Sequence, residues 1–182
     1  MKMKKKGLVF SAFVLGALLL MGCASATAGS GGGEATGSEQ AAEQDLGMVC
    51  ALIGKDDADT ADLLGGGEEN WTEDGVTFIG RIYDTELYGE PVTVYTTCSP
   101  EKKVDSVSIW ITDGSQAVTE EQLAEWQGYV TDATGAEMQQ MPVSAESGTQ
   151  SWEWQTEDHF YTLRLLENIL TLGINPAVGE LQ

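Results

Sequence analysis

The chain has 182 residues, with 29 acidic against nine basic side chains and a formal net charge of −20. Nucleic-acid binding leaves a clustered basic face as its footprint, and this composition excludes one, along with electrostatic docking on anionic lipid. One histidine, His159, and three cysteines, Cys23, Cys50 and Cys98, are too few and too scattered for a zinc cluster.

Lys2, Lys4, Lys5 and Lys6 form a positive cluster, and Leu8 to Met21 is apolar except for Ser11 and Gly16. That run is shorter than the roughly 18 to 20 residues a spanning helix needs, so residues 1–22 read as an export signal and not as part of the fold. Its end, Leu20-Met21-Gly22-Cys23, resembles the bacterial lipobox: an aliphatic residue three before the cysteine, a small residue just before it, then Cys. The resemblance implies that the Cys23 thiol receives diacylglycerol and that the signal is cut before it. The product would then be held by lipid at the extracytoplasmic face of a bacterial cell membrane. A general secretory signal cut near Ala24 to Ala28 is the other reading. Without the signal only Lys55, Arg81, Lys102, Lys103 and Arg164 remain against 29 acids, which favours solubility and repulsion from an anionic envelope.

Residues 23–44 are rich in Gly, Ser, Ala, Thr and Glu and lack aromatic and large aliphatic side chains. Such a segment cannot offset its ordering entropy and is expected to be a flexible tether. The remaining residues, 45–182, are the usual size of one domain. Cys50 and Cys98 are an even pair in an exported chain, which reads as a disulfide; two buried free thiols are the alternative.

Ala42, Leu46, Val49 and Ile53 fall on one face of a helix, ended by Gly54. Asp56 or Asp57 caps a second short helix with Ala58, Ala61 and Leu64 inward, stopped by Gly65-Gly66-Gly67. Strand alternation follows at Val76 to Tyr83, at Val92, Val94 and Thr96, and at Val107, Ile109 and Ile111, with turns at Gly89-Glu90-Pro91 and Ser99 to Lys103. Trp110 should point away from Ile109 and Ile111. Thr119-Glu120-Glu121-Gln122 is a capping box, opening a helix with Leu123, Trp126, Val130 and Ala133 inward and Gly135 as C-cap. Met138 to Thr149 reads as loop. Trp152 and Trp154 share a strand face, as do Tyr161, Leu163 and Leu165; a turn at Glu167-Asn168 leads to Leu170, Leu172 and Ile174.

Two segments echo each other. Trp71 is followed by Thr72-Glu73-Asp74, and by Arg81 ten residues on; Trp154 is followed by Gln155-Thr156-Glu157-Asp158, and by Arg164 ten residues on. A repeat would make units 45–111 and 119–175, though chance use of turn residues explains the echo equally well. In the first unit, Gly54 and Gly65 bracket ten residues after an apolar helix and before a meander. Residues 46–111 thereby resemble the helix-loop-helix-plus-sheet unit of the β-lactamase inhibitor protein and of small outer-membrane assembly lipoproteins. Lys55 stands where Met or Thr is usual in that unit, and Thr60 where Val is usual. The resemblance implies a protein-binding module working through a sheet face.

Chemistry is sparse. His159 follows Glu157-Asp158 in an apparent turn, where a solvated histidine is the plainer account than a catalytic base. The acidic run Asp56 to Asp62 fails as a calcium loop, because Ala61 and Asp62 occupy positions needing a ligand and a glycine. No metal or cofactor is expected. Trp110, Trp152 and Trp154 are the candidate binding residues, suited to stacking a ring or anchoring a partner. The expected fold is α+β, with helices on one face of an antiparallel meander sheet and two tandem units as an option. The expected function is a lipid-anchored binding lipoprotein recognising an envelope protein or a peptide. The alternatives are a small envelope hydrolase using paired carboxylates and a carbohydrate-binding module.

Overall fold

The computed structural model describes residues 45–177. The signal, the lipobox with Cys23 and the whole of the 23–44 tether lie outside the described residues. Among the described residues there are three helices: α1 (Leu46–Cys50), α2 (Asp57–Leu63) and α3 (Glu120–Thr134). Eight strands follow the chain: β1 (Glu68–Trp71), β2 (Phe78–Leu87), β3 (Glu90–Cys98), β4 (Val104–Trp110), β5 (Gln139–Gln140), β6 (Gln150–Gln155), β7 (His159–Leu166) and β8 (Ile169–Pro176). They form one antiparallel sheet in the order β1-β2-β3-β4-β8-β7-β6-β5, so the described chain is mainly sheet with a few helices.

The strand order is that of two four-stranded meanders, the second entered in reverse and joined to the first where β4 pairs with β8. The sequence echo does not overlay them. Arg81 lies on β2, the second strand of its meander, and Arg164 on β7, the third of the other. Their surroundings differ too: Arg81 is drawn to Asp57 on α2, whereas Arg164 is exposed between Ser151 and Thr171.

Period-two burial builds the core. Val92, Val94 and Thr96 on β3, Val107, Ile109 and Ile111 on and after β4, Leu170, Leu172 and Ile174 on β8, and Tyr161 and Leu163 on β7 are buried. Leu46 and Val49 of α1 and Trp126 and Val130 of α3 belong to the same cluster. Thr119 caps α3 by accepting from the Gln122 N–H at 3.1 Å, and Gly135 closes it in the left-handed region at φ 62°. Ala133, expected inward, is exposed.

The short second helix differs most from expectation. Its buried residues are Asp57 and Thr60, not Ala58 and Ala61. The reason is a partner distant in sequence. Arg81 meets the Asp57 carboxylate, while Thr60 Oγ1 donates to the Asp57 carbonyl at 2.8 Å and lies 3.3 Å from the Tyr83 hydroxyl. β1 and β5 were also unforeseen. Both are edge strands, exposed along most or all of their length, so neither carries an alternating apolar signal.

The expected Cys50–Cys98 disulfide is not formed; both thiols are free. Cys50 Sγ lies 3.3 Å from the hydroxyl of Tyr161 on β7, whereas Cys98 ends β3. The Cys50 thiol thus meets β7 across the core, while Cys98 stands beside Val104 on the β3–β4 ladder.

Candidate functional site

Residues directly opposite in an antiparallel ladder project to the same face. The registers therefore define rows on the face away from the buried β3, β4 and β8 side chains. One row runs Asp84, Thr93, Trp110, Thr171, Arg164, Ser151 across six strands. The neighbouring row runs Ile82, Tyr95, Ser108, Gly173, Thr162, Glu153. Ser108 and Gly173 stand at the middle of the second row, with Thr171 next to Trp110 in the first, and the Trp110 and Tyr95 rings stand beside them. Trp110 is 40% exposed, and its ring lies 5.8 Å from that of Tyr95.

Of the three candidate tryptophans, only Trp110 reaches this face with its ring accessible. Trp152 and Trp154 do share a face, but it is the inner one, where they are 4% and 1% exposed. The Trp154 indole N–H donates to Thr131 Oγ1 of α3 at 3.0 Å. They are core residues and cannot contact a ligand. Alternation predicted their common face; it could not tell which face α3 would cover.

Sequence reasoning missed the cleft that adjoins Trp110. It has a volume of about 940 Å³ and lies between the β2–β3 hairpin end, the outer side of β3 and β4, and the segment leading into α3. Five carboxylates line it: Asp84, Glu90, Asp113, Glu121 and Glu125. Thr93 Oγ1 donates to Asp84 at 2.9 Å. Glu90 accepts from the buried Trp126 indole at 3.0 Å and from Gln122 at 3.5 Å, which fixes the hairpin against α3. Hydrogen bonds from the Ser115 hydroxyl and N–H hold the Asp113 carboxyl below the usual carboxylate range. Asp113 is thus ionised near neutrality and is not a proton donor. The signal that could have found the cleft is the excess of acids around residues 84–93 and 113–125, but their proximity depends on the crossing from β4 to α3.

The other titratable groups lie elsewhere. Burial pushes the Cys50 and Cys98 thiols up, as it does the Tyr83, Tyr88 and Tyr161 phenols. A raised thiol is a poor nucleophile at neutral pH. His159 begins β7, with its N–H bonded to Thr156 Oγ1 at 3.0 Å and its ring 6.2 Å from that of Tyr161. Among the described residues no three His, Cys, Asp or Glu side chains gather in a metal-holding group, and no helix is long and apolar enough to cross a membrane.

Comparison of the chain with protein-family models, with curated proteins and with solved structures gave no match.

Proposed function

We propose that this chain is a lipid-anchored, extracytoplasmic binding lipoprotein that presents one sheet face to another envelope protein. In this reading Cys23 carries the lipid, residues 23–44 space the domain from the membrane, and units 45–111 and 119–175 each contribute a helical part and a meander. The helices cover the face that carries the buried residues, and the opposite face is left for a partner. The observation that carries the proposal is the pairing of Trp110 with Tyr95 beside a strip of small side chains. An exposed tryptophan backed by a half-buried tyrosine is a favoured anchor for a protein partner, and small neighbours let a partner approach the strands closely. The resemblance of residues 46–111 to a partner-binding helix-and-sheet unit supports the same reading.

Photo-crosslinking in intact cells tests it. A crosslinking residue at Ser108 or Thr171, on the open face, should give discrete protein adducts, and one at Asp132 on the exposed side of α3 should not. Adducts absent from both open-face positions, or equal at all three, would overturn the proposal. The anchor is tested separately: Cys23→Ala should move the protein from the membrane fraction to the medium or periplasm.

A further inference from the structure

The acidic cleft beside Trp110 narrows the kind of partner. Resting on the binding reading above, we infer that the site takes a positively charged protein segment, with an arginine or lysine side chain entering between Trp110 and the α3 carboxylates. Three observations lead there. The five lining carboxylates face no described lysine, arginine or histidine within the cleft, so it presents one sign of charge. Next, Trp110 and Tyr95 line the same space, and a cation over an aromatic face gains from the ring quadrupole as well as from nearby carboxylates. Lastly, Glu121 and Glu125 stand four apart on α3, a spacing at which like charges repel and lower helix stability. A guanidinium or ammonium group placed between them relieves that repulsion.

The cleft's size also fits a chain segment better than a bare ion. About 940 Å³ is within the range of organic-ligand sites of about 300–1,000 Å³, and the carboxylates are spread along it from the hairpin end to the second turn of α3. The strip of small residues continues from the cleft across β4 and β8. A peptide held by its basic side chain could thus run on over Ser108 and Gly173.

The probe is a fluorescein-labelled nonapeptide of alternating arginine and alanine, titrated into the Cys23→Ala full-length chain and read by anisotropy. The same peptide with glutamate for arginine is the control. The arginine peptide should bind, more weakly as ionic strength rises, and the glutamate peptide should not. Glu121→Gln with Glu125→Gln should weaken binding roughly tenfold. Glu146→Gln with Glu157→Gln removes the same charge away from the cleft and should change it less than about twofold. Trp110→Ala should weaken it severalfold, with thermal melts of each variant showing an intact fold. Equal losses from the two charge pairs would reveal a non-specific charge effect and overturn the inference, as would unaltered binding by the cleft pair or no binding at all. The crosslinks from Ser108 separate this from the broader proposal. If they persist after Glu121→Gln and Glu125→Gln, the partner is not held by its positive charge and the inference falls while the binding reading stands. If the unaltered chain gives no such crosslinks, the binding reading itself falls.

Discussion

Asp57 and Arg81 form a bidentate ion pair that ties the first turn of α2 to β2. Arg81 Nε donates to Asp57 Oδ1 at 2.9 Å and to Oδ2 at 3.0 Å, and Nη2 donates to Oδ2 at 2.8 Å. Glu69 on β1 adds a longer contact at 3.4 Å. Hydrogen bonding to Asp57 is the main reason that the Arg81 guanidinium is held above its ordinary range. With Asp57 only 5% exposed, removing its partner leaves a carboxylate buried without its counter-charge. Arg81→Met, which keeps much of the side-chain volume, should cost about 3 kcal/mol, read as a lower urea midpoint. The double variant Asp57→Asn with Arg81→Met should lose less than the sum of the two single losses. Strict additivity would show that the two side chains are not coupled.

The buried thiols and phenols set the alkaline limit. Cys50, Cys98, Tyr83, Tyr88 and Tyr161 are all raised, chiefly by burial. The fold therefore holds these protons more tightly than the unfolded chain does. Their contribution is fully present below the unfolded values, about 8.5 for a thiol and about 10 for a phenol, and is lost as pH rises through the folded ones. Urea midpoints should stay level from neutral to about pH 8 and then fall, thiols first. Cys50→Ala should flatten the first part of that fall. Alkylation of the unfolded, unreduced Cys23→Ala chain should block both Cys50 and Cys98. If neither thiol reacts, the two are joined after all.

What could be read from the sequence was local. The β3, β4, β7 and β8 alternations, the Thr119 cap and the Gly135 stop all rest on residues within a few positions of one another. Everything that depended on a distant partner was hidden. Asp57 read as a helix-capping acid because Arg81 is 24 residues away. Trp152 and Trp154 read as a binding pair because nothing in their spacing says that Thr131 waits on α3. The acidic cleft assembles from β2, β3, β4 and α3, and its carboxylates looked like a solvated excess until the chain turned them toward Trp110.

Gly80 exposes a close approach within the sheet. A Cβ at this position would fall on the backbone carbonyl of Thr96, and the next N–H, that of Arg81, donates to Thr96 Oγ1 at 2.9 Å. Gly80→Ala must push β2 away from β3 and disturb the same segment that carries Arg81. Overpacking against rigid backbone should cost about 3 kcal/mol. Gly173, also in the sheet, is the control: its nearest neighbours to a new Cβ are at 3.9 Å, so Gly173→Ala should change stability by less than about 0.5 kcal/mol. Thermal melts of the two variants should differ clearly. Similar melts would mean that β2 and β3 can separate at little cost.

Tyr88 and Glu167 share an unusual backbone, each with φ 54° in a tight turn, yet replacement by glycine should act in opposite directions. For a residue with a Cβ this left-handed conformation costs roughly 1–2 kcal/mol. Glu167 is exposed at the β7–β8 turn, so Glu167→Gly should relieve the strain with little loss, offset in part by the greater freedom of an unfolded glycine. The net gain should be about 1 kcal/mol, a rise in melting temperature of about 2–4 °C. Tyr88 bears the same strain at the β2–β3 turn but is held by three contacts. Its ring stacks on Tyr129 at 4.0 Å and meets Trp126 edge-on at 6.0 Å, and its hydroxyl accepts from the Leu46 N–H at 3.2 Å. Tyr88→Gly should therefore cost about 3 kcal/mol, since the ring that joins α1, α3 and the hairpin is lost. If Tyr88→Gly stabilised the protein, the stacked rings would be contributing less than the turn strain they hold in place.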